Sequence, residues 1–209
     1  MSAALVSQRV QQHGFKDDLE SSIYVLLWIV LMCSETSNPV QASLFMKTVL
    51  GDMPFGNLGS YTKAHFLIAR TFLNEVKFLD RPALDTLVYQ LARLFGARYQ
   101  EEPTFEEKQA ADLLRVLATA YPTLTNICHS NAAYDYYDRL SKLENHDATI
   151  ALFETAISSP NWLDNDLPLK QDFDEVESRA VIKSGWRTSL FMSLDIEPDI
   201  GAEIADEAG

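Results

Sequence analysis

The stretch Ile23 to Cys33, IYVLLWIVLMC, is the most apolar segment of the chain and constrains its fold more than any other feature. A membrane-spanning helix needs about 20 apolar residues, and this run has roughly half that number. It reads as a helix that must be covered by protein. Immediately before it, Lys16-Asp17-Asp18-Leu19-Glu20-Ser21 puts carboxylates where a helix N-terminus has unpaired N–H groups and the positive end of its dipole. The expectation is a helix from about Asp18 to Cys33, apolar on nearly every face, wrapped by other helices and lying at the centre of the fold.

The remaining patterns are also helical. Thr36-Ser37-Asn38-Pro39 ends the first helix, and a second pattern runs from Val40 to Leu50, closed by Gly51-Asp52-Met53-Pro54. After a loop over Phe55 to Ser60, apolar residues at spacings of three and four predict helices over Tyr61 to Phe72 and Pro82 to Tyr99, the latter with Pro82 in its first turn. Thr104 followed by Glu107 forms a capping box for a helix reaching about Ala120, which Pro122 stops. Ala132 to Leu143 and Asp147 to Ser158 complete the set. In the former, Tyr134 and Tyr137 form the core stripe and Asp135 and Asp138 are expected to face outward. With no repeat and no alternating strand pattern, the fold class is all-α.

Of the 209 residues, 47% are hydrophobic and 22% charged, enough for one core. Residues 1–100 hold 9 basic and 8 acidic side chains, whereas residues 101–209 hold 8 and 22. A chain of net charge −13 repels phosphate backbones and anionic membranes, which argues against nucleic-acid or membrane partners. Two cysteines, Cys33 and Cys128, can form neither a disulfide framework nor a four-thiolate zinc site. The N-terminus lacks a secretory pattern, so an intracellular location, cytoplasm or nucleus, is expected. From Ser193 to Gly209 there are six acidic residues and no Lys or Arg, and this end is expected to be disordered.

The string Asp17-Asp18-Leu19-Glu20-Ser21 leading into Ser22-Ile23-Tyr24-Val25-Leu26-Leu27-Trp28 resembles the opening of the central helix in the C-terminal lobe of fungal-type protein kinases, D-D-L-E-S. Met1-Ser2-Ala3-Ala4-Leu5 with His13 resembles that family's segment ending the activation loop. Pro82-Ala83-Leu84, Leu94-Phe95-Gly96-Ala97-Arg98-Tyr99 and Leu143 through Trp162 are similar to its C-terminal helices. The resemblance implies the helical C-terminal lobe of a protein-kinase-like fold. Residues 1–17 would be the end of an activation-segment-like region, 18–173 the helical domain, and 174–209 an irregular to disordered acidic tail. It further implies structural anchors at Asp18, Ser21 and Trp28, with Asp18 accepting backbone N–H bonds from a catalytic loop. Read from the residues alone, Asp17 or Asp18 is a simple helix cap worth about 1 kcal/mol.

A kinase needs a Gly-rich loop, a strand lysine, an H-R-D base and a D-F-G metal ligand. None of these occurs in the sequence. His13-Gly14-Phe15 and His129-Ser130-Asn131 echo such motifs without their order or setting. The adjacent Cys128 and His129 are not expected to form a nucleophile and base, because sequence neighbours rarely face each other. The pairs Glu101-Glu102 and Glu106-Glu107 read as a solvated face. His13, His65, His129 and His146 are too scattered for a metal site. The expectation is therefore a partial kinase-type lobe with no catalytic, cofactor or metal residues, inactive alone. The alternative is a stand-alone helical interaction scaffold. The expected partner is another protein or the rest of a kinase.

Overall fold

The computed structural model describes residues 2–3, 14–51 and 58–162, and among these it is all-α, with one isolated antiparallel bridge between Thr36 and Phe78. The expected acidic tail, most of the activation-segment-like region, His13 and residues 55–57 of the expected loop lie outside the described residues, while Leu58 to Ser60, also expected as loop, are helical.

Helix α1, Phe15–Cys33, starts three residues earlier than expected because Gly14, in extended conformation, is its N-cap. Asp17 is the third helical residue, and its carboxylate accepts the Gly14 N–H at 3.0 Å, closing the first turn from inside rather than capping it from outside. Helix α2, Pro39–Phe45, has Asn38 as its cap, whose side-chain oxygen accepts the Gln41 N–H, and it runs on into a π-turn, Met46–Leu50. The helix expected over Tyr61 to Phe72 divides into α3, Leu58–Ala69, and α4, Thr71–Glu75. Arg70 takes the left-handed conformation, φ 53°, and turns the chain where Phe72 stacks on Phe45 with ring centroids 4.0 Å apart. Aromatic packing overrides a local helical preference here.

Helix α5, Pro82–Gly96, is the hub, packing on α1, α3, α4 and α9 and continuing as a 3-10 turn, Ala97–Tyr99. Its buried residues Leu84, Leu87, Val88, Leu91, Leu94 and Phe95 join Ile23, Leu27 and Leu31 of α1 and Leu67 of α3 in the main core. Helix α9 is Asp147–Ile157. The expected capping box is present at α6, Phe105–Ala120, where Thr104 and Glu107 exchange backbone N–H bonds. Helix α6 packs mainly against α8, Ala132–Lys142, and the short α7, Thr125–Cys128, around a separate small cluster of Ala111, Cys128, Ala133 and Tyr134.

The crossing of α3 and α5 is close enough to require a glycine. A Cβ built on Gly96 would stand 2.4 Å from the Leu67 carbonyl oxygen, a clash with backbone that no side-chain rotation relieves. Gly96→Ala is therefore expected to destabilise the protein by about 1–3 kcal/mol through forced separation of the two helices. Urea titration of wild type and variant would show this as a lower midpoint at unchanged slope.

Helix α1 is not enclosed on all sides. Ile23, Tyr24, Leu27, Val30 and Leu31 are buried, but Val25, Trp28 and Ile29 are exposed at 57, 50 and 48%. Among the described residues α1 packs mainly on α5 and the π-turn.

Candidate functional site at the start of helix α1

The sequence sets three polar side chains, Asp17, Glu20 and Tyr24, at helical spacing of three and four, so one face of α1 carries them into the same interior as Leu27 and Leu31. Buried carboxylates must be bonded or neutralised. Both are bonded, and the cation comes from the far end of α5. Arg98 donates through Nη2 to Asp17 Oδ1 at 2.8 Å and through Nη1 to Glu20 Oε2 at 2.6 Å, with a third bond from Nη1 to the Lys16 carbonyl at 3.1 Å. Tyr99 donates its hydroxyl to Glu20 Oε2 at 2.6 Å, and Tyr24 donates to Oε1 at 3.3 Å.

Residues 2 and 3 complete the network. The Ser2 hydroxyl donates to Asp17 Oδ1 at 2.9 Å, and the Ala3 N–H donates to Glu20 Oε1 at 2.8 Å. Burial alone would push the Asp17 carboxyl up, but bonds from Arg98, the Gly14 N–H and Ser2 outweigh it and hold the group below the ordinary carboxylate range. Burial likewise opposes the charge on Arg98, and Asp17 and Glu20 more than restore it, raising the guanidinium above its usual value. The Tyr24 phenol is pushed up by burial and then by the Glu20 charge, so it stays a donor. With each carboxylate oxygen engaged, the arrangement ties an N-terminal segment and the end of α5 to the start of α1. It leaves little capacity to move a proton or bind a cation. No cluster of three or more His, Cys, Asp or Glu among the described residues is placed to hold a metal.

The three anchors suggested by the sequence lie on the other side of the helix. Asp18 is exposed, Ser21 is half-buried and donates its hydroxyl to the Asp17 carbonyl at 2.6 Å, and Trp28 is half exposed. They share the outward face of α1 with Val25. On the inward face of α1, Asp17 accepts the Gly14 N–H and Glu20 the Ala3 N–H, one residue before and two after Asp18. Their spacing with Tyr24 and Leu27 was readable in the sequence. Arg98, distant in the chain, carried no such signal.

Other expectations meet mixed outcomes. Cys128 is buried and turns toward the Leu114 carbonyl of α6, whereas His129 turns toward Asp135, with Nδ1 3.5 Å from its carboxylate, so the two do not face each other. Glu101, Glu102, Glu106 and Glu107 are exposed, as expected of a solvated face. Asp135 does not face outward. It is half-buried and pairs with Arg93 at 2.6 Å and with Arg139 at 3.0 Å, because α8 is held between α6 and α5 and its acidic side is turned onto α5.

The described residues thus define an all-α protein in which no helix is long and apolar enough to cross a membrane, with a buried carboxylate–arginine lock as its most developed polar feature. No family model, curated protein or solved structure matches the chain.

Proposed function

We propose that the chain is a helical scaffold on the plan of the C-terminal lobe of fungal-type protein kinases, working by engaging another polypeptide rather than by transferring phosphate. The observation that carries this reading is the outward stripe of α1. Val25, Trp28 and Ile29 belong to the most apolar segment of the sequence, yet all three are about half exposed. In a kinase-type lobe the central helix is covered by the segments that carry the catalytic loop, and this stripe is where such segments would pack. Exposed apolar surface of this kind favours association.

Two supports add to it. The lock at the start of α1 binds Ser2 and Ala3, the residues that resemble the end of an activation segment. The sequence contains no Gly-rich loop, strand lysine, H-R-D or D-F-G.

Gel filtration with light scattering over a range of concentrations tests the reading. The wild type is expected to associate with itself or with a co-expressed kinase N-terminal half, and Trp28→Glu is expected to abolish that association while leaving the helical circular dichroism intact. A monomer at every concentration that also ignores the N-terminal half would refute the scaffold. Magnesium-ATP is expected to leave the thermal midpoint of the isolated chain unchanged, whereas a ligand bound at 100 times its Kd would add about 2.7 kcal/mol. A clear upward shift would return the chain to the enzymes.

A further inference from the structure

Away from the α1 lock, the chain builds a second polar assembly that the scaffold reading does not use. Between α5, α7, α8 and α9 lies a cleft of about 470 Å3, a size typical of small-molecule sites. Leu94, Leu152, Ala148 and Ala151 supply apolar lining, and Arg93, Lys142 and His129 bring basic groups to it.

The charges around it are unequally committed. Arg139 is spent on the framework. Its Nε donates to Asp135, Nη1 to the Arg93 carbonyl at 2.9 Å and Nη2 to Gln100 Oε1 at 2.9 Å. Asp135 receives Arg93 and Arg139 with His129 nearby, and Asp138 receives Lys142 at 2.6 Å with His129 at 3.9 Å, so each carboxylate is already paired with at least one permanent cation. Arg93 and Lys142 each make one such bond and remain 40 and 48% exposed. Both line the cleft together with Gln90 and Asn126, and each has more N–H donors than its one carboxylate bond uses. Three permanent cations stand against two carboxylates here, in a chain whose net charge is −13. Arg139 registers that excess: burial first, then the neighbouring Arg93 and Arg70, pull its guanidinium below the ordinary value despite Asp135.

We propose that this cleft binds a monocarboxylate with a short apolar body, the carboxylate on Arg93 and Lys142 and the body against Leu94, Leu152 and the α9 alanines. A single negative charge matches the surplus of one cation. A multiply charged anion such as phosphate would meet Asp135 and Asp138 without an apolar body to offset the repulsion.

Titration of the full chain with sodium hexanoate, followed calorimetrically and by the His129 imidazole resonances in NMR, tests the assignment. One saturable site is expected at low salt, with hexanol and hexylamine at least tenfold weaker, and affinity falling as salt is added. The double variant Arg93→Gln, Lys142→Gln should weaken hexanoate by tenfold or more. Ala151→Trp, at an exposed lining position, should keep the helical circular dichroism and abolish binding by filling the cleft, whether or not the double variant folds. The proposal is overturned by absence of saturable binding to the wild type, by equal affinity for hexanol, or by full affinity in Ala151→Trp.

Discussion

Arg98→Met is expected to destabilise the protein by about 3–5 kcal/mol, because it removes the guanidinium that pairs with both Asp17 and Glu20, the latter a side chain with no exposed surface, and leaves the two carboxylates side by side. For a chain of this size that loss lowers the thermal midpoint by on the order of 10 °C. The effect is a penalty for stranding buried charge, and a second experiment separates it from lost packing. In the Arg98→Met background, adding Asp17→Asn and Glu20→Gln should restore more than half of the loss, since neutral amides avoid most of the desolvation cost. Chemical denaturation of the single and triple variants decides the matter. A triple variant no more stable than the single one would mean that Arg98 acts through its aliphatic stem.

The same lock fixes the sign of an acid response. The Asp17 carboxyl lies below its ordinary value in the folded protein, so it contributes stability above about pH 4 that is lost as pH falls through the folded value. Unfolding midpoints measured downward from pH 6 should therefore fall more steeply for the wild type than for the triple variant.

Phe95→Ala is the second large effect, at about 3–5 kcal/mol. Phe95 has no exposed surface and sits near the end of α5, the helix that touches α1, α3, α4 and α9. Removing its ring opens a cavity whose walls belong to several helices, and Gly96 already holds α3 and α5 at backbone contact, which limits collapse. Phe95→Leu should lose about half as much. Equal losses for the two substitutions would show that the site relaxes freely. Because Phe95 and the Arg98 lock lie in the same turn of chain, their effects are not expected to add.

Much of the helical layout is legible in the sequence. Pro82 in a first turn and the Thr104 with Glu107 pair mark helix starts by signals confined to one turn, and both operate where expected, whereas Asn38, expected only as part of the break after α1, is the cap of α2. The break at Arg70 was not legible, because Tyr61 to Phe72 is periodic throughout and the reason for the turn is Phe45, which belongs to another helix. Asp135 misled for a related reason. On an isolated helix opposite the Tyr134 stripe it should face water, but a second helix with Arg93 lies there. The apolar run of α1 promised burial on all sides, yet Val25, Trp28 and Ile29 are about half exposed while Ile23, Leu27 and Leu31 are buried.

The sequence by itself determined the all-α class, the approximate helices and the face of α1 on which Asp17, Glu20, Tyr24 and Leu27 fall together, since each depends on residues within a few turns of one another. Only the tertiary structure decided that Arg98, 78 and 81 residues from its two carboxylates, would close the lock and that Asp18, Ser21 and Trp28 would face outward. The physical reason is that a helix's periodicity defines its faces, whereas which face is buried, and by which charge it is neutralised, depends on how helices distant in the chain cross.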